Sequence, residues 1–230
     1  MKLTIPTDLK EITLSQYRRY QKVVEDNPND EVFICIQMIA IFCNLEIADV
    51  MKIPAVNFAE IVETIAKTLD QRPSLTTTFK IDGVEYGFIP NLEQITIGEH
   101  AVIDTTINNE EQIELMLSVM YRKITKKASV FYEIEAYNPD IDLSEKFKNV
   151  PMHIVKGAQV FFWNLFNELL QNTLLSIPKI AKAEGVDLEA VFQSVGGGIT
   201  LLSESQESIK SELKMWEEKI FTNHSRYYLT

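Results

Sequence analysis

Apolar residues in the first third of the chain recur at helical spacing, and clear stops divide them into separate segments. Thr13 followed by Gln16 is a capping-box signature, in which each side chain satisfies an N–H left open at a helix start. It predicts a helix over Leu14–Glu25. Asn27-Pro28-Asn29-Asp30 reads as a turn, with Asp30 placed to cap an apolar helix over Glu31–Phe42. Asn57 with Glu60 reads as a second capping box, opening a helix through Leu69. On that helix Phe58, Ile61, Ile65 and Leu69 recur at steps of three and four, which gives one buried face. Arg72-Pro73-Ser74 ends it.

The period then changes to two. Thr77–Ile81 and Val84–Ile89 alternate around Asp82-Gly83, the dipeptide a type I′ hairpin turn favours because both residues tolerate positive φ. Gly87 marks a bulge or a close approach. A third strand is expected over Ala128–Tyr137, where Val130, Tyr132, Ile134 and Ala136 alternate with Phe131, Glu133 and Glu135. Between these strands, Asn108 and Glu111 suggest a helix to about Arg122 that carries Leu115, Met116, Val119 and Met120.

Past Asp140-Ile141-Asp142 the pattern is helical again. Asn149 and Pro151 fit the start of a long helix whose apolar residues, from Val155 to Leu170, fall on nearly all sides. Pro178 should kink or end it. Asp187 caps a short helix over Leu188–Ser194, closed by Gly196-Gly197-Gly198. A last helix, about Ser203–Phe221, places Leu202, Ile209, Leu213, Trp216 and Ile220 near heptad spacing. The pattern therefore predicts an α+β, mainly helical fold. A small antiparallel sheet with its hairpin near 77–89 is covered by helices, and long helices fill the C-terminal third. The expected organisation is a mixed domain over 1–145 and a helical region over 146–230, either separate or packed on the same core.

Composition narrows the chemistry. A chain of 230 residues with 46% hydrophobic content buries roughly 70% of its unfolded surface and needs no disulfide or metal to fold. The net charge of −11 repels phosphate backbones, so nucleic acid is not an expected partner. The one basic cluster, Arg122, Lys123, Lys126 and Lys127, reads as a solvated strand edge or loop. Cys35 and Cys43 would stand roughly 12 Å apart on a helix, too far for a disulfide, and read as small buried hydrophobes in a reducing compartment. The opening Met1–Pro6 lacks the apolar core of a signal peptide. The most apolar runs, Val32–Cys43 and Val160–Phe166, fall short of the roughly 18 residues a membrane span requires. A cytoplasmic protein without a membrane partner is expected.

Each candidate for catalysis lacks a second element. The triple glycine leads into Ile199-Thr200 instead of the Lys-Ser/Thr of a phosphate loop. Asp140-x-Asp142-x-Ser144 begins like a calcium loop, but Glu145 stands where the glycine is needed and Pro151 where the last glutamate belongs. His100, His153 and His224 have no metal-ligand spacing. Glu99 beside His100 would usually face another way, Cys35 and Cys43 look buried, and Glu133 with Glu135 fits a solvated strand face. The expectation is a protein that is not an enzyme and uses no cofactor or metal. Its candidate partner-binding residues are the aromatic Phe161, Phe162 and Phe166 and the seam Ile209, Leu213, Trp216 and Ile220. The alternative, an enzyme or small-molecule binder with its site in the middle sheet, would use Tyr86, Glu99, His100, Tyr132 and Glu133.

The order of segments carries a resemblance. Leu3-Thr4-Ile5-Pro6, then Ile12-Thr13-Leu14-Ser15-Gln16-Tyr17-Arg18-Arg19-Tyr20, is an extended start leading into a capped helix. Small helices follow, then Phe79-Lys-Ile-Asp-Gly-Val-Glu-Tyr-Gly-Phe-Ile-Pro-Asn-Leu92 and Ile95-Thr-Ile-Gly-Glu99. Over the first 125–150 residues this resembles small assembly proteins of tailed bacteriophages, of the tail-assembly-chaperone and baseplate-hub-assembly kind. Val119-Met120-Tyr121-Arg122 belongs to the same likeness, with Lys123 where a proline is expected. The resemblance implies a non-enzymatic factor in the host cytoplasm that binds a phage structural protein, and in some cases itself, keeping a tail or neck component soluble or positioning it. A structural component retained in the virion, such as a ring, neck or internal protein, is the alternative. No individual residue role follows from the likeness.

Overall fold

In the computed structural model Thr13 caps the first helix as its spacing predicts. Its hydroxyl accepts from the Gln16 N–H at 3.2 Å while the Gln16 side chain accepts from the Thr13 N–H at 3.0 Å. The structure describes residues 3–106, 112–129, 131–139 and 144–165, together with the helical, exposed positions Ser211 and Lys214. The features expected around Asp140–Asp142, at Pro178, over 188–198 and along most of 203–221 lie outside the described residues.

Helix α1 (Leu14–Asp26) turns Leu14, Tyr17 and Tyr20 inward. Helix α2 (Glu31–Phe42) begins where the Phe33 N–H donates to Asp30 at 3.0 Å, and it buries seven residues from Ile34 to Phe42. It packs on α1, on the single turn α3 (Ile47–Val50) and on α4 (Ala55–Leu69). Helix α4 buries Ile61, Val62, Ile65, Ala66, Thr68 and Leu69. Its start differs from the expectation. The cap is Pro54, with no side-chain bond, and Asn57 is already the third helical residue. Proline presets φ at −57° and cannot donate a bond, which suits the one place in a helix where no partner is lost.

Strands β1 (Thr78–Ile81) and β2 (Val84–Phe88) form the predicted hairpin, with Asp82 at φ 48° and Gly83 at φ 79°. Helices α5 (Ile97–Thr106) and α6 (Ile113–Met120) follow and pack together. The chain does not continue as helix to Arg122. It enters β3 (Tyr121–Ala128) directly and returns as β4 (Phe131–Ile134), completing an antiparallel sheet of order β1-β2-β3-β4. Helix α7 (Ser144–Phe147) sends Phe147 under the sheet, where its ring lies 5.5 Å from Tyr86 and 6.2 Å from Phe79. The fold is α+β and mainly helical, with a small antiparallel sheet covered by helices.

The helix over residues 152–165 (α8) begins directly after Pro151, where its start was expected, and Pro151 itself bridges back to Thr13. The chain divides into two units between Ala158 and Gln159, inside α8. In the first, Gly157 is needed for close approach: a Cβ there would stand 2.6 Å from the Ser74 carbonyl oxygen. Lys156, 2% exposed, donates to the Leu69 carbonyl at the end of α4, with its ammonium 5.8 Å from the Tyr17 ring centre. In the second, the rings of Phe161 and Phe162 meet edge to face at 5.2 Å.

Candidate functional site

The basic cluster lies on β3, where Arg122 and Lys123 pair with β2 while Lys126 and Lys127 are solvated and pair with β4 alone, in keeping with a solvated strand edge. Each meets a carboxylate. Lys127 reaches Glu85 of β2 at 2.5 Å, Lys126 reaches Glu133 of β4 at 2.8 Å, and Lys123 approaches Glu135 at 3.9 Å. The Lys127 bond holds the Glu85 carboxyl below its ordinary range, and the Glu133 bond raises the Lys126 ammonium. These contacts offset the local positive charge that a phosphate backbone would require.

Arg122 is different because it is half-buried and its partner is fully buried. Its guanidinium meets Glu99 of α5 at 2.6 Å, with the two side chains 13% and 3% exposed. Glu99 also accepts from the Thr96 N–H at 2.7 Å, and the Glu99 N–H donates to the Thr96 hydroxyl at 3.2 Å. Thr96 and Glu99 thus form a reciprocal cap on α5, and the capped carboxylate anchors the sheet to the helix.

Two shallow cavities flank this pair. One, of about 350 Å³, is lined by Pro90, Gln94, Glu99, Arg122, Tyr132 and Glu133 among others. The other, of about 270 Å³, lies against Val102, Leu115, Val119, Arg122, Tyr137 and Pro139. Glu99, Tyr132 and Glu133, three of the five residues expected in a middle-sheet pocket, therefore share one cavity. Tyr86 does not join them. It is buried among Phe79 and Phe147, and burial, with the charges of Glu135 and Asp82 behind it, raises its phenol. His100 follows Glu99 on α5.

The cavity groups already have structural partners. The Tyr132 hydroxyl donates to the Phe88 carbonyl at 2.8 Å and its ring crosses the face of Gly87, where a Cβ would stand 2.5 Å from it. Burial raises the Tyr132 phenol. Glu133 is held by Lys126 and Glu99 by Arg122. A general base must be within reach of a substrate proton and free to take it, and here each carboxylate is held by a cation. Cys35 is buried and Cys43 half-buried, neither paired in a disulfide, and burial pushes both thiols up to about 11, away from the reactive thiolate. Among the described residues no group of three His, Cys, Asp or Glu side chains could hold a metal ion. No described helix is long and apolar enough to cross a membrane.

The surface that stands out is apolar and lies on the first unit. Ile47 and Met51 are one helical turn apart, the Met51 N–H donating to the Ile47 carbonyl at 3.0 Å, so both lie on one side of α3. They are 45% and 66% exposed, while Val50 between them is 1% exposed and fixes the turn to the core. The chain bends at Lys52–Pro54 and then presents Val56, 71% exposed, on the first turn of α4. Pro54 and Ala55 are exposed as well. Scattered apolar side chains on a surface are ordinary, and Val32, Ile97 and Phe131 are exposed singly in this way, whereas Ile47, Met51 and Val56 fall close together in the chain.

Of the residues expected to bind a partner, Phe162 is buried, Phe161 is half-buried against it, and Phe166, Ile209, Leu213, Trp216 and Ile220 lie outside the described residues. The α3–α4 corner was not among the expected sites. Its signal is a row of apolar residues, Ile47, Met51 and Val56, at positions that neither neighbouring helix needs for its buried face. No protein-family model, curated protein or solved structure matches the chain.

Proposed function

We propose that this chain is a non-enzymatic protein-binding factor that acts in the assembly of a tailed-phage tail or neck, keeping a structural partner soluble or positioning it. The observation that carries the binding role is the exposed apolar corner of Ile47, Met51 and Val56 on a turn held from below by Val50. A rigid apolar surface of this kind contributes to association by being covered, roughly in proportion to the apolar area removed from water. The net charge of −11 fits a protein that stays dispersed while it holds an aggregation-prone partner. The placement in phage assembly rests on the resemblance of the first 125–150 residues alone.

The test is to express the full chain with the tail and neck proteins encoded beside it, recover it by affinity, and assay purified particles for it. Recovery with one structural protein, together with absence from particles, is the expected result. A fixed copy number in particles would make it a retained virion component instead. Recovery of no structural protein and absence from particles would defeat both readings and return attention to the cavity beside Glu99 and Arg122.

A further inference from the structure

We propose that the α3–α4 corner receives an amphipathic helix whose apolar face is rimmed by lysine or arginine, supplied by the partner protein. The inference rests on the protein-binding reading and adds the chemistry of the partner. Its first support is shape. Ile47 and Met51 form an i,i+4 ridge, and helix surfaces pack by setting such ridges into the grooves of another helix. The corner is built of helical turns, the Val50, Met51, Ile53 and Phe58 N–H groups donating to carbonyls three or four residues back. The corner therefore offers side chains and no open strand edge, which selects a helix over an extended peptide.

Charge is the second support. From Glu46 to Glu60 the chain carries three carboxylates, Glu46, Asp49 and Glu60, and a single cation, Lys52. Lys52 is already paired with Asp49 at 2.7 Å. Glu46 and Glu60 are exposed and flank the apolar residues in the sequence. A basic rim on the partner complements them, steering encounter and fixing register. A second copy of this chain would instead bring the same two carboxylates and another −11 of charge against itself, and an anionic lipid surface would be repelled in the same way.

The test uses the full-length chain and two labelled synthetic 18-residue helical peptides, one of leucine and lysine and one of leucine and glutamate, read by fluorescence anisotropy. The wild-type chain is expected to bind the lysine peptide and not the glutamate peptide. The double variant Met51→Ser/Val56→Ser should weaken that binding about tenfold or more, as a central apolar contact does. Glu46→Gln/Glu60→Gln should weaken it several-fold and flatten its salt dependence, whereas Glu25→Gln on the exposed side of α1 should leave it unchanged. All these positions are exposed, and thermal melts will show the variants folded. No binding by the wild type, equal binding of both peptides, or full binding by the Ser/Ser variant overturns the proposal. So does a wild-type dimer in sedimentation that the Ser/Ser variant abolishes, because the occupant is then a second copy. Co-expression separates the two levels of inference. A tail or neck protein recovered equally by wild type and Ser/Ser variant leaves the chain a binding factor but removes the corner as its site, and recovery by neither removes the binding role as well.

Discussion

Lys156 offers the sharpest quantitative test of the packing, because it is a cation buried at the junction of α8 and α4. It is 2% exposed, donates to the Leu69 carbonyl and lies near the Tyr17 ring. Burial, only in part offset by the charge of Asp70 and reinforced by Arg72, lowers its ammonium to about 8. In the unfolded chain a lysine titrates near 10.4. Between those two values the unfolded chain holds one proton more than the folded one, so stability rises with pH across that window. Below pH 8 the lysine is charged in both states and the burial cost is fully present; above about 10.4 it is neutral in both and the cost is gone. The difference between the two values corresponds to about 3 kcal/mol, most of which should have appeared by pH 10. Other groups titrate in the same range with the opposite sign. The thiols of Cys35 and Cys43, at about 11 in the fold, and the raised phenols of Tyr86, Tyr121 and Tyr132 favour unfolding as pH climbs. The difference between wild type and Lys156→Met cancels them. Urea unfolding of both proteins at pH 7, 8, 9 and 10 should show the wild type gaining on the variant by about 2 to 3 kcal/mol over that range. A flat difference, or one that falls, would refute the claim that this amine is held charged in a dry site.

Three further expectations concern the sheet and the helix starts. Arg122→Ala leaves the Glu99 carboxylate buried with only the Thr96 N–H beside it, and should cost about 3 kcal/mol in chemical denaturation; Lys126→Ala, on the exposed pair with Glu133, should produce no measurable change. Gly87→Ala places a Cβ 2.5 Å from the Tyr132 ring, which must move and give up its bond to Phe88, for a loss of about 1–3 kcal/mol; made in a Tyr132→Ala background, the same Gly87→Ala change should cost much less. Thr13→Ala removes the α1 cap at a cost of about 1 kcal/mol, read as a lower melting temperature, and Asn57→Ala, inside α4, should cost nothing.

What could be read from the residues was the part specified locally. Asp82-Gly83 dictates its turn by positive φ, Thr13 and Asp30 cap the helices that follow them, and the spacing of Ile61, Ile65 and Leu69 marks a buried face. The Thr96–Glu99 box of α5 carried the same kind of signal, masked by a helix rich in β-branched residues, Ile97, Val102, Ile103, Thr105 and Thr106. Strand β3 had no such signal. Arg122-Lys-Ile-Thr-Lys-Lys127 shows no apolar alternation, and its outer half is exposed on both faces. What makes it a strand is its pairing with β2 and β4, and its partners are distant in sequence: Glu85 stands 42 positions from Lys127. Those pairings exist only once the sheet has formed.

The same non-local logic separates the two candidate sites. In the cavity beside β3, the carboxylates that attracted attention in the sequence turn out to be the counter-charges of a strand that the sequence did not announce. Glu99 fixes α5 to the sheet through Arg122, Glu133 and Glu85 neutralise Lys126 and Lys127, and the Tyr132 hydroxyl secures the ring that covers Gly87. A ligand that recruited any of them would have to displace a structural bond, and for the buried Glu99–Arg122 pair that means leaving a desolvated charge behind. At the α3–α4 corner nothing comparable must be undone. Ile47, Met51 and Val56 already face solvent above a fixed Val50, so covering them removes apolar area from water without breaking a contact of the fold. Among the described residues, no internal contact has to be given up for the proposed partner to cover the corner.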